Sequence, residues 1–157
     1  MDIANFHTEE VNGSGDLPTF DLFRNFDKIT LKQILSTGHY HSLEDEEQLF
    51  NGGRSNNDAY LVLDGMLYAY SKSDVMVMFK KGDCINAGFL HNPKLACPEI
   101  KASGHVKILC YKRSEILNFF RENPEKVFKL FTMNVIQCQQ KLISDLFNKP
   151  SLNQQNL

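Results

Sequence analysis

The chain has 157 residues, 42% of them hydrophobic and 23% charged, which are the proportions of an ordinary soluble globular protein. This length suffices for one domain with a core of its own. The formal net charge of -2 argues against binding along a nucleic-acid backbone, since that needs a concentrated basic surface.

The N-terminus lacks the charged and apolar regions of a secretory signal, and no apolar stretch approaches the ~20 residues needed to span a bilayer. The cysteines form no CxxC pair, which disfavours a zinc ribbon or a thioredoxin motif. They are Cys84, Cys97, Cys110 and Cys138. We therefore predict a cytoplasmic protein with reduced thiols and no membrane contact.

The first part of the chain predicts an arm followed by two short helices. Residues 1–18 are polar and include Asn12-Gly13-Ser14-Gly15, which predicts a flexible arm. Phenylalanines about one turn apart predict the first helix: Phe20, Phe23 and Phe26. Thr30-x-x-Gln33 resembles a capping box for the second helix, and Gly38 is its expected C-terminal stop.

A series of short β-rich runs separated by turn signals follows. The runs are 39–43, 48–50, 60–63, 66–70, 75–79 and 106–111. Asp64-Gly65 is the favoured sequence of a two-residue type I′ turn and predicts a hairpin between the third and fourth runs. An irregular segment, Gly82 to Pro98, interrupts the series and is the predicted small-molecule pocket. Many short strands with close turns predict a sandwich or barrel.

The C-terminal part predicts two helices. The first ends at Asn123-Pro124, which also starts a long helix reaching about Phe147, with Asn as its N-cap. Apolar residues at three- and four-residue steps predict a dimer seam of coiled-coil type: Phe128, Phe131, Val135, Cys138 and Leu142. A second apolar set is expected to cover the barrel: Val127, Leu130, Met133 and Ile143. Simple core packing of the seam is the alternative.

This order of elements resembles the cyclic-nucleotide-binding domain family, and within it the sensor half of Crp/Fnr-type bacterial regulators. The matching stretches are Asp58-x-Tyr60-x-Val62-x-x-Gly65, Lys81-Gly82-Asp83, Val106 to Tyr111 into Arg113-x-Glu115-Ile116, and Asn123-Pro124 with its long helix. The resemblance covers Thr19 to Phe147 and implies a β-barrel (jelly roll) with flanking helices. It divides the chain into an arm (1–18), a sensor barrel (19–123), a long dimerisation helix (124–148) and a tail (149–157).

The phosphate-binding cassette departs from that family. Nucleotide-binding members carry a Glu for the ribose hydroxyl and an Arg that clamps the cyclic phosphate. Ala87 stands where the Glu is expected, and Lys94-Leu95-Ala96 stands near the Arg position, without the planar fork of arginine. Cyclic AMP is therefore not the expected effector. The segment is similar to a Gram-positive branch that lacks the cassette and includes an activator responsive to glutathione. In these regulators DNA is bound by a further C-terminal domain, which this chain does not contain.

The resemblance implies a pocket between the barrel and the long helix. Its candidate residues are Tyr68, Gly88, Phe89, Lys94, Ala96, Gln137 and Cys138. The alternative is that the β residues are core and turn and that the glutamine belongs to a solvated face. We predict a ligand-sensing domain that forms a homodimer through its long helix. The alternative function is a ligand-free interaction scaffold.

Two further interpretations come from single residues. His39-x-His41 with Glu44, together with Gly82-Asp83 and Gly88-x-x-His91, partly imitates a cupin metal site, but surface histidines are the expected case. Cys84 and Cys97 flank the pocket segment and allow a thiol sensor, although buried inert thiols are favoured. Because no motif of nucleophilic or metal catalysis occurs, we predict no enzyme activity, no cofactor and no metal.

Overall fold

The computed structural model describes residues 20–50, 57–72, 74–86 and 98–148. Its helical elements are a 3₁₀ turn Asp21–Phe23, α1 Lys28–Thr37, α2 Arg113–Glu122 and α3 Glu125–Phe147. Its strands are β1 His39–Leu43, β2 Gln48–Phe50, β3 Asp58–Ser71, β4 Asp74–Lys80, β5 Cys84–Ile85 and β6 Glu99–Lys112. The predicted arm, the tail and most of the irregular segment lie outside the described residues. No helix in the described ranges is long and apolar enough to cross a membrane.

Helix α1 is capped by Asp27, one turn before the predicted capping box. The Asp27 carboxylate accepts hydrogen bonds from the backbone N–H of Ile29 at 3.0 Å and of Thr30 at 2.9 Å. The Thr30 hydroxyl donates to the same carboxylate at 2.7 Å, so the Thr30-Gln33 box is wrong. Gly38 does follow the helix, but with φ of -76° it is not a left-handed stop. A Cβ at Gly38 would lie 3.1 Å from the Tyr111 ring, and this close packing explains the glycine.

The strands form a six-stranded antiparallel sheet in the order β1-β6-β3-β4, with β2 paired to β6 and β5 paired to β3. Strands β3 and β6 have 14 residues each and pair along almost their whole length. The predicted hairpin at Asp64-Gly65 is wrong, because both residues lie inside β3 at a shift of its register with β6. Gly65 has φ of +82°, so its left-handed backbone makes a bulge that bends one long strand.

The buried residues form two clusters, one on each face of the sheet. The first packs the helices against the sheet and includes Phe23, Tyr111, Phe120, Phe131 and Val135. The second lies within the bent sheet and includes Val62, Leu67, Phe79, Ile100 and Val106. Leu142 of α3 is partly buried against the second cluster. Helix α3 therefore contacts both clusters.

The boundary between α2 and α3 differs by one residue from the prediction. Helix α3 begins at Glu125 and its N-cap is Pro124. Asn123 is not the N-cap, since its side-chain amide donates to the carbonyl of Phe119 at 2.8 Å and completes the end of α2. The helix has 23 residues and ends at Phe147, as predicted.

Candidate functional site

The predicted pocket lies only partly within the described residues. Gly88, Phe89, Lys94 and Ala96 lie outside them, as do Ala87, His91 and Cys97. The first residues of the cassette are described as far as Asn86, which has φ of +59°. Its side-chain amide donates to the backbone carbonyl of Asp58 at 2.7 Å. This hydrogen bond fixes the start of the cassette to the first residue of β3.

Tyr68 lies on the outer face of the sheet. Its neighbours Leu67 and Ala69 are buried in the second cluster, and side chains alternate between the two faces along a strand. Tyr68 is half-buried on the outer face, opposite Met78 of β4 and Lys101 of β6. The bulge at Gly65 sets which residues of β3 face inward and thereby places Tyr68 on the outer face.

Gln137 belongs to a set of polar contacts that fasten the 3₁₀ turn to α3. Its side-chain oxygen accepts a hydrogen bond from a guanidinium N–H of Arg24 at 3.4 Å. One turn earlier, the buried Asn134 donates to the carbonyls of Leu22 at 3.1 Å and Arg24 at 2.9 Å. One turn later, the Lys141 ammonium lies 3.7 Å from a carboxylate oxygen of Asp21.

Sequence reasoning missed Asn134, the most buried member of this set. The sequence does contain a sign of its burial: Asn134 directly precedes Val135 and lies near the helix face whose apolar spacing predicts burial. Its amide satisfies two carbonyls that the short 3₁₀ turn leaves without helical partners, and unpaired buried carbonyls are costly. The N-terminal turn and α3 therefore form one unit.

Cys138 of α3 and Cys84 of β5 both have raised pKa values. Burial raises the pKa of its thiol, and the carboxylate of Asp21 raises it further. The pKa of the Cys84 thiol is also raised, chiefly by burial, with further contributions from Cys138 and from the carboxylate of Asp83. Cys84 packs against the first cluster, which lies between the helices and the sheet.

The described thiols are poor nucleophiles. Besides Cys84 and Cys138, burial raises the pKa of Cys110 to about 11, with a further contribution from the carboxylate of Asp58. A redox-sensing thiol needs a lowered pKa, because the thiolate is the reactive form. Cys110 is a buried core residue, whereas Cys84 and Cys138 are partly exposed, and the raised pKa disfavours the thiolate at all three.

The predicted dimer seam faces the chain's own domain. Phe131 is 0% exposed and Val135 is 2% exposed, so their assignment to a dimer interface is wrong. The Phe128 ring lies 5.1 Å from that of Phe120, and Cys138 and Leu142 are partly buried along the same face. The alternative of core packing accounts for this stripe, because the same spacing serves a core or a partner helix.

A different stripe of α3 is exposed to solvent. The exposed fractions are 57% for Met133, 46% for Ile136, 53% for Ile143 and 84% for Phe147. Met133 and Ile143 were predicted to cover the barrel, so that assignment is wrong for both, whereas Val127 is buried as predicted. The helix therefore has one buried and one exposed apolar face, and the exposed face includes only Met133 and Ile143 of the second predicted set.

The residues of the cupin-like pattern are not assembled around one point. The His39 ring lies 2.6 Å from the Glu115 carboxylate at the start of α2. Glu44 lies 3.5 Å from the ring of His105 instead. In the part of the chain that the structure describes, no group of three or more His, Cys, Asp or Glu side chains is placed to hold a metal ion.

No protein-family model matches the sequence. No curated protein matches it either. Solved structures do match. The N-terminal domain of a transcriptional regulator from Streptomyces coelicolor has a TM-score of 0.69 at 18% identity, covering 83% of this chain and 96% of that one. A second match, with Sp-2Cl-cAMPS bound to PKAR CBD2, has a TM-score of 0.64 at 15% identity over 92% and 97% of the two chains. The fold is that of a cyclic-nucleotide-binding domain.

The same jelly-roll arrangement occurs in the Thermus thermophilus catabolite activator protein. The TM-score is 0.66 at 15% identity, and the match covers 80% of this chain. This chain spans 59% of the length of that protein. These similar structures are regulatory or binding domains. At identities of 15% to 18%, the similarity shows the fold of this chain and nothing about its function.

Proposed function

We propose that this chain is the effector-sensing domain of a Crp-type regulator, with the barrel at residues 19–123 and the signalling helix at 124–148. One observation carries the proposal: α3 packs on the helical cluster through Phe131 and on the sheet cluster through Leu142. A molecule bound between the sheet and the C-terminal half of α3 would have to displace Leu142. Ligand binding would therefore change the position of the helix.

The effector of this pocket is not cyclic AMP. With Ala87 at the Glu position, no carboxylate is available for the ribose hydroxyl, and Lys94 lacks the bidentate guanidinium that holds a cyclic phosphate. The sequence resemblance to the Gram-positive branch favours glutathione or another small peptide. DNA contact belongs to a separate domain of such regulators, and the chain itself has no catalytic role.

The exposed stripe of α3 is the surface on which we propose that a second copy docks. Met133, Ile136, Gln140, Ile143 and Phe147 follow one another at steps of three, four, three and four residues. This is the spacing of a coiled-coil seam, and its one polar member, Gln140, lies in the middle, where it would set the register. The stripe is on the face opposite the core, so a partner helix would not compete with the barrel.

Thermal denaturation with added ligands tests the sensing role. Glutathione, short peptides, cyclic AMP and cyclic GMP are added separately, at concentrations well above plausible Kd values. An effector at about 100 times its Kd stabilises the folded state by roughly 2.7 kcal/mol. We expect stabilisation by glutathione or a peptide and none by cyclic nucleotides. No stabilisation by any of them would favour the alternative, a ligand-free interaction scaffold.

A cassette variant serves as the matched control for this screen. The double substitution Ala87→Glu and Lys94→Arg restores the two side chains that hold a cyclic nucleotide. We expect it to gain stabilisation by cyclic AMP and to lose that by glutathione. If the unsubstituted protein already binds cyclic AMP, the proposed degeneracy of the pocket is wrong.

A further inference from the structure

A second cleft lies outside the barrel, where the first residues of β3 meet the last residue of β6 and the outer face of α2. Its volume of about 430 Å³ is within the range of small-molecule sites. The face of α2 that lines it repeats along the helix at Ser114, Leu117, Asn118 and Arg121. None of these residues belongs to the predicted pocket.

The cleft concentrates positive charge on a chain that is acidic overall. Three cationic side chains line it, Lys112, Arg113 and Arg121, against one carboxylate, Asp58. The local sum is +2 (three minus one), whereas the whole chain has a net charge of -2. A concave surface lined by one sign of charge raises the local concentration of the opposite ion. This favours an anionic ligand.

The remaining lining residues are suited to hold such an anion in place. Arg121 donates one guanidinium N–H to the side-chain oxygen of Asn118 at 3.1 Å, which orients the planar group while its other N–H groups remain donors. Ser114 adds a hydroxyl at the same wall. The first turn of α2 lies at the Lys112 end of the cleft, where the positive end of the helix dipole adds to the field.

We propose that this cleft binds a small phosphate monoester. The phosphate would lie between Lys112 and Arg121, since Arg suits the bidentate geometry of phosphate oxygens and Lys supplies a compact charge. The organic group would lie against Leu117, the apolar residue of the lining. The residues that line this site are different from those assigned to the proposed effector pocket.

Two-dimensional amide NMR of the full chain tests the site, with glycerol 3-phosphate and inorganic phosphate titrated separately at constant ionic strength. We expect saturable shifts at the amides of Ser114 and Asn118, with tighter binding of the ester than of inorganic phosphate. Lys112→Gln and Arg121→Gln each remove one charge-assisted contact and should weaken binding about tenfold. Both side chains are exposed, so neither substitution should disturb folding.

Lys126→Gln is the control, because it removes an exposed charge of α3 that does not line the cleft. Binding to this variant should stay within about twofold of the unsubstituted protein. If Lys126→Gln weakens binding as much as Arg121→Gln, or if the shifts do not saturate, the attraction is general and the site is refuted. Equal affinity for both ligands would refute the role of Leu117. Neither result bears on glutathione binding in the barrel.

Discussion

Tyr111 contributes to the core through its ring and not through its polar group. Its side chain is fully buried, its ring meets that of Phe23 at 6.0 Å, and it fills the space left by Gly38. Its hydroxyl has no hydrogen-bond partner among the described residues. Burial raises its pKa well above the ordinary value, with a smaller effect from Cys84, so the phenol remains neutral.

Tyr111→Phe should therefore raise the free energy of unfolding by about 1 kcal/mol, because it removes a buried polar group without a partner. Urea denaturation at pH 7 measures the change. Tyr60→Phe is the matched control, since the Tyr60 side chain hydrogen-bonds Cys110 and its loss should not stabilise the protein. A destabilised Tyr111→Phe protein would mean that the hydroxyl has a partner, such as a buried water.

Gly65 is required by both its backbone angle and its surroundings. A Cβ at this position would lie 2.6 Å from the carbonyl oxygen of His105, and φ is +82°. Gly82 has a similar φ of +90°, but a Cβ there meets nothing within 4 Å. Both alanine variants carry the cost of a left-handed backbone, whereas only Gly65→Ala adds a clash with the facing strand.

We expect Gly65→Ala to lower the free energy of unfolding by roughly 1–3 kcal/mol more than Gly82→Ala does. The difference between the two urea midpoints isolates the clash, since the backbone strain is common to both. Equal losses would show that β6 yields at His105 without cost, and the bulge would then not be rigid.

At the scale of elements, α3 carries three distinct faces. One is apolar and covered, with Phe131 and Val135 in the core. A second is polar and holds the 3₁₀ turn through Asn134 and its neighbours. The third is the exposed apolar stripe, which has no partner among the described residues. The helix thus contacts the core, the 3₁₀ turn and solvent on three different sides.

The exposed stripe predicts self-association that depends on α3 alone. Ile136→Glu and Ile143→Glu, singly or together, should convert a dimer to a monomer, because a carboxylate at a seam position must be desolvated in the coiled coil. Sedimentation equilibrium measures the mass. Gln139→Glu introduces the same charge at an exposed position outside the stripe and should leave the dimer intact.

Val135→Glu gives a second readout that separates the two faces of α3. Since Val135 is 2% exposed, a carboxylate there would unfold the domain instead of merely dissociating it. Circular dichroism distinguishes these outcomes. A Val135→Glu protein that is folded and monomeric, beside an Ile136→Glu protein that stays dimeric, would restore the seam first predicted from the sequence.

At the scale of the whole molecule, the described thiols make the free energy of unfolding depend on pH in the alkaline range. The pKa values of Cys84, Cys110 and Cys138 are all raised on folding, that of Cys110 to about 11. In the unfolded chain these thiols ionise near pH 8.5, while in the folded protein they keep their protons. The unfolded state therefore binds fewer protons above that pH, and a rise in pH favours it.

The free energy of unfolding should be level from pH 7 to 8 and fall from about pH 8.5 upward. Each thiol that stays fully protonated in the folded state lowers the free energy of unfolding by up to about 1.4 kcal/mol per pH unit. Urea denaturation at pH 7.5 to 10 measures the slope, and Cys110→Ala should reduce it. A flat profile in the unsubstituted protein would show that the thiols ionise in the folded state and are open to oxidation.

Local sequence patterns were sufficient to predict where most helices and strands occur and which of the two each one is. Period-two alternation identified β1, and the apolar spacing identified a long helix ending at Phe147. These patterns succeed because hydrogen bonding and side-chain period are properties of one segment. The general fold also followed from the order of the elements, and solved structures with TM-scores of 0.64 to 0.69 confirm it.

Tertiary structure alone decided how three local signals are used. A left-handed residue at Gly65 suits a hairpin turn or a bulge equally, and only pairing with β6 selects the bulge. Side chains of β3 change face at that bulge, so the outward position of Tyr68 was not readable from its neighbours. An apolar stripe at steps of three and four residues suits a core or a partner helix, and burial assigned Phe131 to the core and Ile136 to solvent. Sequence by itself determines what each segment is able to bury, whereas the surface it is buried against depends on contacts distant in the chain.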